Sequence, residues 1–113
     1  MKVLFLHGLE SLPGGTKVQH LESLGHDVLN PLLPRGSFDT SVTIARSIIN
    51  NDCPDIIVGS SRGGAVAMCA NDTSIPMVLV APAWRHYDVP VNNHMPNTHV
   101  LHCPYDDIVS IED

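Results

Sequence analysis

Apolar runs and amphipathic segments alternate from the start of the chain into its last third. The runs at residues 3–6, 26–29, 55–59 and 77–81 have the length and residue types of β-strands, and residues 99–102 form a fifth candidate. The run at residues 3–6 is apolar at every position, which is typical of a strand buried on both faces of a sheet.

Three segments between these runs predict helices, at residues 16–24, 41–50 and 62–71, because their apolar residues recur at spacings of three and four. Gly25 stands where the first helix would end, as glycine commonly does. Asp39, Thr40 and Ser41 are the candidate N-caps of the second helix. A further helix is expected to begin at residue 108.

This alternation predicts an α/β fold with helices on both faces of a parallel sheet. Right-handed crossovers restrict it to a three-layer, doubly wound, mostly parallel sheet of about five strands, and we expect the strand order 2-1-3-4-5. The chain has 113 residues, which is the size of one domain, so we assign residues 1–113 to a single unit.

Charge and cysteine content exclude several classes of protein. Six Lys and Arg against twelve Asp and Glu give a net charge of −6 without any basic run, which argues against nucleic acid as a partner. No apolar run approaches the roughly 20 residues that span a bilayer. Three widely spaced cysteines, Cys53, Cys69 and Cys103, favour reduced thiols over a disulfide framework or a zinc site. We therefore expect a soluble, cytoplasmic protein without a membrane partner.

The most informative motif is Gly59-Ser60-Ser61-Arg62-Gly63, which matches G-x-S-x-G between a predicted strand and a predicted helix. In this context the serine occupies a sharp turn that lifts its hydroxyl above the sheet, and the glycines let strand and helix approach closely. The motif therefore predicts that Ser61 is a nucleophile.

Three separated segments then resemble the α/β-hydrolase family, and in particular its small bacterial esterase-like members that lack a large cap. These segments are LFLHGL at residues 4–9, GSSRGG at 59–64 and VLHCPYDDIV at 100–109. They resemble, respectively, the strand leading to the oxyanion turn, the nucleophile turn and the end of the strand that bears the acid. Cys103 stands where the third pattern usually has glycine.

The resemblance implies a role for each matching residue. Ser61 would be the nucleophile, and the backbone N–H groups of Leu9 and Arg62 would form the oxyanion hole. Asp106 would be the acid of the triad, with the adjacent Asp107 as the rival. The Arg62 side chain could instead simply pair with a loop carboxylate. His7 is expected to hold the oxyanion turn rather than to act as a base.

The histidine of the triad is not identified. In this family it follows the acid, yet no histidine follows Asp106 in the sequence. Either the chain is truncated at its C-terminus, which we favour, or it is a complete small domain that uses another base or none. His86 and His94 lie in the segment after the fourth predicted strand and are the candidates within this sequence.

Other chemistries find less support. Pro13 occupies the position of the second glycine of a phosphate-binding loop, G-x-G-x-x-G is absent, and His99 and His102 would point to opposite faces of a strand. The sequence thus implies no cofactor and no metal.

Residues 83–98 are too few for a cap, which favours small esters or thioesters as substrates. The alternative is a catalytically silent domain used for binding, and an open sheet edge would let a second copy pair with it.

Overall fold

The computed structural model of the chain describes residues 1–9, 11–72, 75–83, 87, 89 and 97–101. The elements follow in the order β1 (Lys2–Leu6), α1 (Thr16–Ser23), β2 (Asp27–Leu29), α2 (Phe38–Asp52), β3 (Ile56–Ser60), α3 (Arg62–Ala70), β4 (Met77–Val80) and β5 (Thr98–Leu101). Each predicted strand and helix within these ranges is present. The helix expected from residue 108 lies outside the described residues.

The five strands form one parallel sheet in the order β2-β1-β3-β4-β5, which confirms the predicted α/β topology. Leu6 of β1 pairs with Gly59 of β3, and Ser60 pairs with Val80 of β4. The chain therefore leaves these three central strands at the same edge of the sheet, the one formed by the carboxyl ends of the strands. That edge is where α/β proteins bind ligands, and here it brings together residues 7–9, residue 61 and residues 81–83.

The main core lies between one face of the sheet and helices α2 and α3. Its sheet residues alternate with the pleat, so that neighbouring strands contribute to one layer. The most deeply buried members are Leu4, Leu6, Ile57, Leu79 and, from α3, Val66. From α2, Ala45 and Ile49 pack into the same cluster.

The opposite face is less fully covered by the described part of the chain. Val3 and Phe5 of β1 are buried there, and so is Val18 of α1. On β3 and β4 the residues of this face are only half-buried, and they line an apolar groove of about 600 Å³ beside α1. The expectation that helices cover both faces therefore holds for β1 more fully than for β3 and β4. Within the described ranges, no helix is both long and apolar enough to cross a membrane.

Backbone hydrogen bonds set the ends of α1 and α2. After α1, the N–H of Gly25 donates to Glu22 and that of His26 donates to Leu21, which together form a Schellman motif. The helix α2 begins three residues before the predicted position. Its N-cap is Ser37, whose hydroxyl accepts from the Thr40 N–H at 3.1 Å. Asp39, Thr40 and Ser41, the expected caps, lie instead inside the first turn.

The burial of Ser41 explains why this residue is not the N-cap of α2. Its side chain is fully buried, and its hydroxyl lies 3.1 Å from the Ser37 carbonyl and 3.3 Å from that of Pro34. A residue in this position is already helical, so it cannot also provide the extended backbone of an N-cap. Ser37 does so, with φ −146° and ψ 109°.

Replacing the observed cap should therefore affect stability more than replacing a predicted one. We expect Ser37→Ala to lower the free energy of unfolding by about 1 kcal/mol, because the Thr40 N–H loses its acceptor. Thr40→Ala, an exposed change on the same turn, should stay within about 0.5 kcal/mol of the parent protein. Urea unfolding followed by circular dichroism measures both, and equal losses in the two variants would contradict the assignment.

Candidate active site

Ser61 occupies a strained turn between β3 and α3. Its backbone has φ 54° and ψ −117°, a conformation that residues with a side chain rarely adopt. The Ser61 N–H donates to the carbonyl of Val80 at 2.8 Å, which ties the turn to the end of β4. We call residues 59–64 the Ser61 turn. Its strand–turn–helix context is the one that the G-x-S-x-G motif predicts.

Glycines are required at two positions of this turn because backbone packs directly against backbone. A Cβ added to Gly59 would lie 2.6 Å from the carbonyl oxygen of Gly63. A Cβ on Gly63 would overlap the carbonyl oxygen of Leu6, at the end of β1. The start of α3 is thus pressed against both β3 and β1. This close approach explains why the motif has glycine two residues before and two residues after Ser61.

The Ser61 side chain is not used to cap its own helix. Ser61 is the N-cap of α3, a position where a serine hydroxyl usually accepts a backbone N–H, but no such bond is formed. Among the described residues, no side-chain hydrogen bond involves the half-buried Ser61 hydroxyl. The hydroxyl is therefore held above the end of β3 without a structural partner in that part of the chain.

The peptide unit between Ser61 and Arg62 is fixed through its carbonyl. The Ser61 oxygen accepts from the N–H groups of Gly64 at 2.9 Å, Ala65 at 3.3 Å and Ala83 at 3.1 Å. In a trans peptide the N–H points away from the carbonyl, so these bonds also fix the direction of the Arg62 N–H. This N–H is the first of α3 and has no hydrogen-bond acceptor among the described residues.

The peptide unit between Gly8 and Leu9 is fixed in the same manner. The Gly8 carbonyl accepts from the His7 ring at 2.8 Å and from the Ser11 N–H at 3.2 Å. The Leu9 N–H, on the other side of that trans peptide, makes no hydrogen bond to any described residue. We call residues 7–9 the Gly8 turn. Both backbone N–H groups predicted to form an oxyanion hole are thus without an acceptor among the described residues, and bonds to the carbonyls behind them fix their direction.

His7 holds the Gly8 turn from a buried position. Its Nε2 accepts the backbone N–H of Leu33 at 2.9 Å, and the side chain is only 3% exposed. Because Nε2 is the acceptor, Nδ1 carries the proton that is donated to Gly8. Both ring nitrogens are therefore engaged, and His7 is not available as a base for Ser61. This agrees with the structural role expected from the sequence.

The two turns lie against each other. A Cβ added to Gly8 would be 3.4 Å from the Cβ of Ser61 and 4.0 Å from its hydroxyl oxygen. The absence of a side chain at Gly8 therefore leaves open space immediately beside the serine. A cleft of about 230 Å³ is lined by Gly8 and Ser60, which are neighbours of Ser61, and by Thr16 and Lys17 of α1.

The remaining predicted site residues are not placed by the structure. Asp106, Asp107, His86, His94 and Cys103 all lie outside the described residues. None of the described histidines forms a hydrogen bond with Ser61. The described part of the candidate site therefore consists of the serine, the two backbone N–H groups and the cleft next to Gly8. The predicted acid and the candidate bases His86 and His94 lie outside the described residues.

The thiols within the described residues are poor candidates for the nucleophile. Burial raises the pKa of the Cys69 thiol, with Asp39 and Asp72 acting in the same direction and Arg46 opposing them. This thiol therefore keeps its proton more firmly than an exposed one. Cys53 is exposed at the end of α2, at the opposite edge of the sheet from Ser61.

The Arg62 side chain has an environment that sequence reasoning missed. It is 2% exposed, and its guanidinium donates to the Pro34 carbonyl at 3.0 Å and to the Ser41 hydroxyl at 3.2 Å. No carboxylate of the described residues contacts it, so the loop pairing considered from the sequence is not seen within that part of the chain. Pro34 and Ser41 are 28 and 21 residues away in sequence, so no local pattern could have indicated them.

Comparison with known proteins adds no family assignment. A scan against protein-family models found no match, and a search of curated proteins found no significant similarity. We therefore infer function from the geometry of this chain.

Two glycine substitutions test the packing of the Ser61 turn. Gly63→Ala should lower the free energy of unfolding by about 3 kcal/mol or more, because the new methyl group overlaps the end of β1. Gly36→Ala is the matched control, since a Cβ there meets nothing within 4 Å and the backbone does not have positive φ. Chemical unfolding should show Gly36→Ala within about 1 kcal/mol of the parent protein. Similar stability of both variants would contradict this packing.

Proposed function

We propose that the protein is a serine hydrolase that acts on small carboxylic esters or thioesters through an acyl-Ser61 intermediate. The observation that carries this proposal is the pairing of two turns. Among the described residues, the Ser61 hydroxyl has no hydrogen-bond partner, and its strained turn lies against the Gly8 turn. The N–H groups of Leu9 and Arg62 have no acceptor in the same part of the chain, and the carbonyl behind each is held by two or three hydrogen bonds. Such preorganised donors are what acyl transfer requires.

In the proposed reaction, the Ser61 oxygen attacks the carbonyl carbon of the substrate while a base takes the hydroxyl proton. The carbonyl oxygen becomes an oxyanion that accepts hydrogen bonds from the N–H groups of Leu9 and Arg62. Collapse of this intermediate expels the alcohol or thiol, which receives the proton, and leaves acyl-Ser61. Water then attacks the acyl group by the same route, releasing the carboxylic acid and restoring the serine.

We propose Asp106 as the acid that orients the base, on the resemblance to the α/β-hydrolases. The base is proposed to be a histidine, and its position is left unassigned. His7 is excluded because its two ring nitrogens are bonded to the backbone. The proposed acyl transfer uses protein groups and water alone, so it calls for neither a metal nor an organic cofactor.

The space next to the serine supports a small substrate. The cleft of about 230 Å³ beside Gly8 and Ser60 has room for a short acyl or alcohol group. Its lining includes the polar residues Ser11, Thr16 and Lys17. We propose the cytoplasm as the location, which the free thiols Cys53 and Cys69 support.

A fluorophosphonate probe tests the proposed nucleophile directly. We expect one covalent adduct per chain, located on Ser61 by peptide mass spectrometry, because only an activated serine attacks the phosphorus. Ser61→Ala should abolish both the adduct and the hydrolysis of p-nitrophenyl acetate. Ser47→Ala, the matched control at an exposed serine of α2, should retain both.

The result that rejects the proposal is the absence of a Ser61 adduct on the folded protein, or an adduct that persists in Ser61→Ala. Either would favour the alternative, a hydrolase-like domain that binds a ligand without turning it over. Circular dichroism of each variant establishes that a loss of labelling does not arise from unfolding.

The role of His7 gives a second prediction. His7→Ala leaves the Gly8 carbonyl with only the longer bond from the Ser11 N–H, so the Leu9 N–H is held less firmly and kcat should fall on the order of 10²-fold. Stability should also fall by about 1–3 kcal/mol, because the buried Leu33 N–H loses its acceptor.

Asn30→Ala is the control for this loss of stability. The Asn30 side chain accepts from the Gly14 N–H at 2.7 Å and donates to the Phe5 carbonyl at 3.0 Å, and neither bond involves Gly8. We expect it to destabilise the fold while keeping kcat within about fivefold of the parent protein. An equal drop of kcat in both variants would show that His7 has no specific role at the site.

A further inference from the structure

Arg62 combines two features that rarely occur together, since its backbone belongs to the proposed site while its side chain is buried away from solvent. The guanidinium lies 5.7 Å from the ring centre of Phe38 and 5.8 Å from that of Tyr87. These two rings stack at 4.8 Å with an angle of 6° between them. Both of these distances are longer than the separation of the two ring centres. The guanidinium therefore lies beside the stacked pair and not between the rings.

The side chain thereby connects three segments that surround the Ser61 turn. Its hydrogen bonds reach the loop before α2, at Pro34, and the first turn of α2, at Ser41. Its ring contacts reach the start of α2, at Phe38, and the segment after β4, at Tyr87. These contacts hold the first residue of α3 in place through its side chain.

The charge at this position is harder to explain by packing alone. A buried cation is usually paired with a carboxylate, because desolvation of the charge is costly. None of the described carboxylates contacts Arg62, although acidic residues outnumber basic ones twelve to six in the chain. The N-terminus of α3 also carries the positive end of the helix dipole, so a cation there opposes the usual preference.

A negative charge formed next to Ser61 would make the buried Arg62 cation favourable, because the two opposite charges attract. In the proposed reaction such a charge exists only in the tetrahedral intermediate, at the N–H of Arg62 and the N–H of Leu9. A buried cation one residue from the serine interacts with that charge through protein rather than water, and its effect is therefore poorly screened. The free enzyme carries the unfavourable charge, and the transition state is stabilised by it.

We propose that Arg62 is an electrostatic positioning residue of this site. Its guanidinium anchors the Ser61–Arg62 peptide and supplies positive potential where the oxyanion forms, a role that rests on the proposed hydrolase function. Because the group is buried, it does not contact the substrate. It acts through the peptide that it holds and through its charge.

Three substitutions separate charge from packing. Arg62→Lys keeps the charge, Arg62→Gln keeps an N–H donor without charge, and Arg62→Met keeps only apolar bulk. Each is to be measured for the rate of fluorophosphonate labelling, for kcat and KM on a p-nitrophenyl ester, and for stability in urea. The rate of labelling reports the step in which the serine attacks.

We expect Arg62→Gln and Arg62→Met to slow labelling and to lower kcat by about ten- to thirtyfold, with KM changed by less than about threefold. Arg62→Lys should recover the rate to within about threefold of the parent protein. The stability of Arg62→Met should stay close to that of the parent, because relief from burying a charge offsets the loss of the two hydrogen bonds to Pro34 and Ser41. If Arg62 were only a structural residue, the labelling rate would fall most in the variants that lose most stability, whether or not they keep the charge.

Arg46→Gln is the matched control for the loss of one positive charge. Arg46 lies on α2, is 44% exposed at its side chain and pairs with Asp72 at 3.1 Å. Its replacement changes the net charge equally but should leave the labelling rate within about twofold of the parent protein.

The outcomes distinguish the two proposals. If the parent protein forms no Ser61 adduct, both the hydrolase function and the role of Arg62 are rejected. If the parent protein is labelled but Arg62→Gln and Arg62→Met react as fast as Arg46→Gln, the role of Arg62 alone is rejected. It is equally rejected if Arg62→Lys is as slow as Arg62→Met, because the charge would then contribute nothing.

Discussion

The close approach of α3 to the ends of β1 and β3 is the constraint on which the site depends. Backbone lies against backbone at Gly59 and Gly63, with no room for a side chain at either position. The chain must therefore reverse direction within a single residue, and Ser61 takes the strained conformation that results. The strain is maintained by the surrounding sheet, because bonds from β4 and from Ala83 hold the turn on both sides.

The same packing determines which backbone groups remain free. Hydrogen bonds gather on the carbonyls of Gly8 and Ser61, and a trans peptide then leaves each following N–H directed the other way. The bonds that stabilise the two turns are thus also the bonds that orient the two proposed oxyanion donors. Because neither N–H is used inside the described part of the fold, both can bind a developing negative charge without displacing a protein acceptor.

Most of the fold could be predicted from the sequence because its information is local. Strands with continuous apolar character and helices with a period near 3.6 can be recognised within about ten residues, and the handedness of crossovers then limits the order of strands. The start of α2 was the exception. Four polar residues close together could each cap a helix, and the burial of Ser41, set by the tertiary contacts of Pro34 and Arg62, decided in favour of Ser37.

The sequence by itself determined the parallel sheet, its strand order and the position of the serine turn, since each follows from periodicity or from the spacing of glycines. Only the tertiary structure decided the proton position on His7 and the surroundings of the Arg62 guanidinium. His7 meets Leu33 across 26 residues, and Arg62 meets Pro34 across 28. Contacts of that separation leave no periodic trace in the sequence, because they depend on how the layers pack once the chain has folded.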